Sequence, residues 1–239
     1  MQEEERIQDL SCADAVPADE GGRKDYVVLL HGLGRTSKSL SKMEHCLKAE
    51  GYDVINIDYP SREYDIPTLS EKFIKKEMES HCTDKKKKIN FVTHSMGGII
   101  VRYYIKAFKP KNIGRIVMIS PPNQGSEVVD FLENSRIVKG IMGPAFEQLG
   151  TAPSDFVNTL GDAESEIGVI TGKSSINWIN SLIIPGEDDG KVSVERSKLK
   201  NMKDFLVVKR THPFIMRADE VIRATVNFLK SGKFNESAE

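Results

Sequence analysis

A serine and a histidine stand side by side in residues 89–100, INFVTHSMGGII, where two sequence patterns meet. The residues before the pair are apolar and β-branched, as in a buried strand, and those after the two glycines are apolar at helical spacing. A serine on a sharp turn between a strand and a helix presents its hydroxyl for nucleophilic attack. The stretch is therefore either an ordinary tight turn or the site of a nucleophile, Ser95.

A nucleophilic serine needs a base, because its hydroxyl is a poor nucleophile near neutral pH. The base is expected in a loop at the carboxyl end of a late strand, after the acid that orients it. Of the five histidines, His212 in VVKRTHPF meets both conditions. His45 and His81 fall on predicted helices, and His94 should point away from the serine because the two are adjacent in a turn.

Acidic residues that could orient His212 lie in IPGEDDGKVSVE, between the fifth and sixth predicted strands. Glu187, Asp188 and Asp189 all stand between the serine and the histidine in chain order. Glu-Asp-Asp-Gly is also an ordinary turn sequence, so its composition alone does not predict the catalytic acid. The prediction depends on the position of the segment in the chain as well. The three carboxylates remain alternatives on this ground alone.

The segment HGLGRT, directly after the first predicted strand, is expected to hold a developing oxyanion. Its two glycines let the backbone bend close to a substrate, so the amide of Leu33 can point inward beside the amide of Met96. His31 closes the strand and is placed to shape this loop. Phosphate binding is the alternative, but the segment lacks both G-x-G-x-x-G and the lysine of a Walker motif.

Six short β-branched runs predict the strands that position these residues: 26–30, 53–57, 89–92, 115–119, 166–171 and 204–208. Helical patterns lie between them, including one around residues 40–47 that ends before Gly51 and one around 221–229 that ends before Gly232. Thr68 and Glu71 predict a capping box at the start of another helix. Alternating strands and helices indicate an α/β fold, a parallel sheet with helices on both faces.

Residues 126–162 interrupt this alternation and predict a small cap of one or two short helices over the strand ends. Apolar residues of the cap are expected either to line an acyl groove or to pack on the sheet. These residues are Phe131, Ile137, Ile141, Met142 and Phe146. Around the cap we expect a single domain over residues 25–232, with a loose arm at 1–24 and a tail at 233–239.

The composition excludes two broad classes of protein. With 39% hydrophobic residues, 29% charged residues and a formal net charge of −1, the chain fits neither a disordered protein nor a strongly basic nucleic-acid binder. Three widely spaced cysteines without a C-x-x-C pair indicate reduced thiols rather than a disulfide framework or a zinc site. No secretory signal and no transmembrane segment are found in the chain, so a cytoplasmic location is expected.

Four stretches resemble the α/β-hydrolase superfamily and its lipase-like branch: LLHGLGRT, FVTHSMGGIIVRYY, ISPPNQGSEVVD, and PGEDDGKVSVERSKL followed by THPF. The third is similar to the T-P-H-x-G-S segment of bacterial triacylglycerol lipases and GPI inositol deacylase-type hydrolases, with Asn123 where histidine is common. The fourth resembles the N-D-G-x-V segment that holds the acid in those lipases. This likeness favours Asp189, as does Gly190 directly after it. Thr93 departs from the first glycine of G-x-S-x-G.

The resemblance spans residues 25–230 and implies a minimal α/β-hydrolase fold that lacks the first two strands of the full version. It implies a serine hydrolase of carboxylic esters, of the lipase or carboxylesterase type. In that reading Ser95 attacks, His212 is the base, Asp189 orients it, and the Leu33 and Met96 amides bind the oxyanion.

Neither a metal nor an organic cofactor is expected, and the expected partner is a small acyl-ester or lipid substrate. A thioesterase or an acyltransferase would use the same triad and is the first alternative. A non-catalytic binding protein on a hydrolase fold is a second alternative, which the presence of all three triad residues disfavours. The sequence leaves the oligomeric state open.

Overall fold

A six-stranded parallel sheet forms the centre of the computed structural model, which describes residues 24–162, 165–175 and 183–235. Its strands are β1 (Tyr26–Leu30), β2 (Asp53–Ile57), β3 (Ile89–His94), β4 (Ile113–Ile119), β5 (Glu166–Gly172) and β6 (Asp204–Val208). Their order across the sheet is β2-β1-β3-β4-β5-β6, and every neighbouring pair is parallel. The six predicted strands are confirmed.

The central strands are covered on both faces, which explains their continuous apolar sequences. Every residue of β1 and β3 is buried, whereas the edge strand β6 is half-buried along its whole length. Alternate residues of β1 enter different cores: Val28 and Leu30 face one, and Val27 and Leu29 face the other. This period of two is the ordinary consequence of strand geometry.

Helices cover both faces of the sheet. Ser41–Ala49 and Asp219–Ser231 pack on one face, and Ile66–Leu69, Lys76–His81 and Met96–Phe108 pack on the other. Shorter elements complete the fold: 3-10 turns at Ser37–Leu40 and Ile215–Arg217, and a π-helical stretch at Ser70–Lys75. The helices predicted before Gly51 and Gly232 are both present.

The predicted capping box is wrong. Thr68 lies inside the first turn of the helix Ile66–Leu69, and Asp65 is the N-cap residue. The Asp65 carboxylate accepts a hydrogen bond of 2.9 Å from the Thr68 N–H, and Pro67 occupies a first-turn position where its missing N–H has no cost.

The segment 126–162 folds into four short helices rather than one or two: Glu127–Leu132, Arg136–Met142, Pro144–Glu147 and Phe156–Thr159. The break between the second and third of these helices follows from glycine and proline, since Gly143 has φ 79° and Pro144 begins the next helix. We refer to this segment below as the cap.

The expectation of reduced thiols is wrong for Cys46, which is disulfide-bonded, whereas Cys82 is a free and buried thiol. Of the predicted arm, residues 1–23 lie outside the described residues, as do 236–239 of the predicted tail. In the described part of the chain, every helix falls short of the length and apolar character that spanning a membrane requires.

Candidate active site

Ser95 sits on a strained turn between β3 and the helix Met96–Phe108. Its φ of 54° and ψ of −125° are rare for a residue with a side chain. The turn is held in place by a 2.8 Å hydrogen bond from the Ser95 N–H to the carbonyl of Ile119 at the end of β4. This conformation directs the hydroxyl away from the sheet.

Close packing around the turn requires glycine at two positions. A Cβ at Gly97 would lie 2.5 Å from the Leu30 carbonyl oxygen, and one at Gly32 would lie 3.0 Å from the Ser95 Cβ. Gly97 thus lets the helix approach β1, and Gly32 lets the neighbouring loop approach the serine. These two contacts explain why positions 32 and 97 are glycine.

Thr93, the departure from G-x-S-x-G, is fully buried near the end of β3. A Cβ at Gly98 would lie 3.4 Å from its hydroxyl oxygen, so the glycine at 98 leaves space beside the threonine side chain. The β-branched residue is therefore accommodated without displacing the turn.

His212 connects the serine to a carboxylate. Its Nε2 lies 3.1 Å from the Ser95 Oγ, and its Nδ1 lies 2.8 Å from the Asp189 Oδ2. The His212 N–H also donates to the Asp189 carbonyl at 2.9 Å, so backbone and side chain both tie the two loops together. His212 and Asp189 are 3% and 1% exposed, which places the pair out of bulk water. The structure brings all three predicted residues together.

The adjacent carboxylates of the acidic turn point in different directions. Asp189 faces His212 and also accepts the N–H groups of Lys191 and Val192 through its Oδ1. Asp188 instead accepts the Gly190 N–H at 2.7 Å, as a residue that caps a turn does. Burial alone would raise the pKa of Asp189, but the facing His212 and the hydrogen bonds hold that pKa below its ordinary value.

His94, next to the serine, turns away from it and supports His212. Its Nε2–H donates to the His212 carbonyl oxygen at 3.1 Å, and the two rings lie 4.9 Å apart. Burial, and then the positive charge that His212 can carry, lower the pKa of His94 well below 6.5. The ring is therefore neutral, and its Nδ1 has no hydrogen-bond partner among the described residues.

His31 supports the loop that carries Leu33. Its ring stacks on Tyr59 with centroids 3.9 Å apart, its Nδ1–H donates to the Gly32 carbonyl at 2.9 Å, and its Nε2 accepts the Tyr59 N–H at 3.3 Å. Burial lowers the pKa of His31, which suits the neutral ring that this pattern needs. Within the described chain, neither the Leu33 N–H nor the Met96 N–H donates to a protein acceptor. Both donors remain available to a ligand.

A cavity of about 310 Å³ opens over the serine and is lined by Leu33, Ser95, His212 and the cap. Met142 and Phe146 line it, as expected for an acyl groove. Phe131 and Ile141 do not: they are 64% and 57% exposed and point outward, as does Ile137. The opposite helix faces and the turn after Pro144–Glu147 supply apolar wall residues that were not predicted from the sequence. These residues are Val128, Val129, Leu132, Val138 and Leu149.

The cap residues that line the cavity share helical spacing. Val128 and Leu132 are four residues apart, as are Val138 and Met142, so each pair lies on one face of a short helix. That spacing could have predicted the lining residues from the sequence, although Phe131 and Ile141 fit a similar pattern on the outer face. Two cations, Arg35 and Lys191, also line the cavity and were not predicted. Among the described residues no cluster of His, Cys, Asp and Glu is arranged to hold a metal ion.

The model of the palmitoyl protein thioesterase family matches residues 26–161, more than half of the chain. The chain belongs to this family. The matched region of this palmitoyl protein thioesterase family member includes Ser95 and the Leu33 loop and ends before Asp189 and His212.

Two curated relatives of this family member are named as lipases. Triacylglycerol lipase 2 of Saccharomyces cerevisiae is 31% identical over 166 residues, which are 64% of this chain and 50% of the yeast protein. A triacylglycerol lipase of Burkholderia plantarii is 24% identical over 172 residues, 66% of this chain and 48% of that protein. The chain spans about half the length of the curated relatives it matches.

Solved structures share the fold of this family member. The mature form of the Bacillus licheniformis lipase BlEst2 superimposes with a TM-score of 0.69 at 18% identity, covering 92% of this chain and 96% of that one. A Paleococcus ferrophilus monoacylglycerol lipase gives a TM-score of 0.58 at 19% identity, with 89% and 97% coverage. The predicted α/β-hydrolase fold and lipase-like resemblance are confirmed.

Proposed function

We propose that this chain is a serine hydrolase that cleaves acyl esters through an acyl-enzyme on Ser95. The observation that carries the proposal is the continuous hydrogen-bonded chain from the Ser95 Oγ through His212 to Asp189, at the floor of an apolar cavity. A nucleophile, its base and the group that orients the base are then all within hydrogen-bond distance.

In the first half of the reaction, the Ser95 Oγ attacks the carbonyl carbon of the substrate while His212 Nε2 takes its proton. The Asp189 carboxylate holds the Nδ1–H of His212, which fixes the tautomer and stabilises the imidazolium that forms. The Leu33 and Met96 N–H groups bind the oxyanion of the tetrahedral intermediate. His212 then protonates the leaving group as the carbon–oxygen bond breaks.

In the second half, water replaces the leaving group in the site. His212 takes a proton from the water, the hydroxide attacks the acyl carbon, and a second tetrahedral intermediate forms on the same oxyanion donors. Its collapse releases the carboxylic acid and returns the proton to Ser95. The apolar cap wall, which includes Met142 and Phe146, accommodates the acyl chain.

Thioester cleavage is the second candidate, and membership in the palmitoyl protein thioesterase family favours it. The same acyl-enzyme would form, with a thiol rather than an alcohol as the leaving group. Rates for an octanoyl ester and an octanoyl thioester, compared as kcat/KM on one enzyme preparation, decide between the two. A higher value for the thioester would replace ester cleavage by thioester cleavage as the main activity.

Labelling by a fluorophosphonate probe tests the common part of both candidates, because the probe reacts with an activated serine. The wild-type chain should be labelled, and Ser95→Ala should lose the label while folding normally. Its residual hydrolysis should be only the ~10³ to 10⁴ over water that oxyanion donors and binding provide. Ser80→Ala, which alters an exposed serine on the helix Lys76–His81, is the control and should keep the label. Hydrolysis by Ser95→Ala within tenfold of wild type would refute the proposal.

A further inference from the structure

Two cations stand in the wall of the cavity beside the serine. Arg35 follows the Leu33 loop, and Lys191 follows Asp189 in the acidic turn, and both line the cavity together with Ser95 and His212. Neither cation forms a salt bridge in the described part of the chain. The pair therefore brings two positive charges to the cavity wall.

Other cations of the same region have carboxylate partners. Arg196 pairs with Glu127, and Lys173 lies 3.3 Å from Glu187. Among the described residues, Lys191 forms hydrogen bonds through its backbone: its N–H donates to Asp189, and its carbonyl accepts the Ser126 hydroxyl at 2.7 Å. These bonds fix the position of the residue in the cavity wall.

The two charges act on each other and on the site. Lys191 is exposed as a residue, yet partial loss of hydration and then the positive Arg35 lower the pKa of its ammonium group, and the Asp189 carboxylate only partly opposes this lowering. Both cations also contribute, after burial and His212, to the low pKa of His94. Like charges held this close repel each other, and an anion between them would relieve the repulsion.

The positions of the two cations indicate which part of a substrate they meet. The apolar wall belongs to the cap and accommodates an acyl chain. Arg35 and Lys191 instead line the cavity with His212 and lower the pKa of His94, whose ring lies 4.9 Å from that of His212. His212 is the group that protonates the leaving group, so the leaving group departs on this side of the cavity.

We propose that Arg35 and Lys191 select substrates whose leaving group carries an anionic phosphate close to the scissile bond. This inference rests on the proposed function and names its substrate class: acyl esters or thioesters of phosphorylated alcohols or thiols. Guanidinium and ammonium groups both bind phosphate oxygens through charge-assisted hydrogen bonds.

A matched substrate pair tests the preference. Octanoyl lysophosphatidic acid and monooctanoylglycerol share the acyl chain and the ester and differ by one phosphate. We expect the wild-type kcat/KM to be roughly 10- to 100-fold higher for the phosphate-bearing member, the range that a hydrogen bond to a charged group provides. The ratio should fall as salt is added, because exposed charges are screened. A ratio near one overturns the inference.

Variants assign the preference to the two cations. Arg35→Gln and Lys191→Gln should each lower the ratio several-fold, and the double variant should bring it near one. Lys191→Arg should keep most of it, because the charge is retained. Lys200→Gln removes an exposed lysine outside the cavity wall and should leave the ratio at the wild-type value. A double variant with the full wild-type ratio overturns the inference.

Octanoyl-CoA and the octanoyl thioester of N-acetylcysteamine form a second pair, in which the phosphates belong to a soluble thiol. A preference in the first pair alone assigns recognition to a phosphate close to the scissile bond, as in a lipid headgroup, because the phosphates of CoA lie at the far end of its pantetheine arm. A preference in the first pair, with or without one in the second, supports the inference, and a ratio near one in the first pair overturns it.

Binding separates this inference from the proposed function. Ser95→Ala cannot form the acyl-enzyme, so its Kd for the octyl ether analogues of the first pair reports the phosphate preference without turnover. Equal Kd values overturn the inference even in an active hydrolase. Tighter binding of the phosphate analogue supports it even if fluorophosphonate labelling has ruled out an activated Ser95.

Discussion

At the scale of single residues, Asp188 and Asp189 show how neighbours of the same type acquire different roles. The backbone of the turn directs the Asp189 carboxylate to His212 and the Asp188 carboxylate to the Gly190 N–H. Chemical type alone does not separate them. The direction that the turn imposes on each side chain does.

The first prediction at this scale compares Asp188→Asn with Asp189→Asn. Asparagine at 189 cannot accept the His212 Nδ1–H as a carboxylate does, so the imidazole is held in the wrong tautomer and turnover should fall by up to ~10⁴. Asparagine at 188 keeps a turn-capping side chain and should cost about 1 kcal/mol of stability at most. The measurement is kcat for a p-nitrophenyl ester at matched folded fraction. A large loss confined to Asp188→Asn would reverse the assignment.

At the scale of elements, the fit between the helix Met96–Phe108 and β1 sets the position of Ser95. The helix approaches so closely that a Cβ at Gly97 would lie 2.5 Å from the Leu30 carbonyl oxygen. A backbone oxygen cannot move aside as the end of a flexible side chain can. The nucleophile is thus positioned by contact between two backbones.

Gly97→Ala and Gly140→Ala should therefore change stability in opposite directions. The first forces helix and strand apart and should lower the free energy of unfolding by about 1–3 kcal/mol. The second lies in the exposed cap helix Arg136–Met142, where an added Cβ meets nothing within 4 Å, and should raise that free energy by about 0.5–1 kcal/mol. Urea midpoints at equal m-values measure both changes. A Gly97→Ala chain as stable as wild type would contradict the described packing.

The elements differ in how far the sequence predicts them. The strands were predictable because β1 and β3 are buried on both faces and so are apolar throughout. The triad candidates followed from chain order, since loops after successive parallel strands meet at one edge of a sheet. The sequence did not predict which cap residues line the cavity. Phe131 and Leu132 are both apolar, and only tertiary packing decides which of them faces the cavity. The capping box was predicted wrongly because Asp65, three residues before Thr68, is the N-cap residue.

At the scale of the whole molecule, two buried neutral histidines couple the fold to pH. His31 and His94 are 0% and 1% exposed, and burial lowers the pKa of each in the folded state below 6.5. Between the folded and unfolded pKa values, the unfolded chain binds more protons than the folded chain. The stability they contribute is complete above about pH 6.5 and is lost as the pH falls below it.

Urea unfolding should accordingly show a lower free energy of unfolding at about pH 5.5 than at about pH 7.5. Removing one of the two groups should flatten this dependence, so His94→Asn should show a smaller difference between the two pH values than wild type. His45→Gln, at an exposed position, should leave the difference unchanged. Greater stability at the lower pH would contradict the neutral state of both rings.

The backbone conformation of Ser95 has a consequence for the history of such a chain. A residue with a side chain at φ 54° carries strain of roughly 1–3 kcal/mol, and the rest of the fold must offset it. Glycine would adopt the same conformation with little strain. Without selection for turnover, drift toward glycine at this position would carry no stability penalty from strain, so a serine here has a folding cost that glycine would not have.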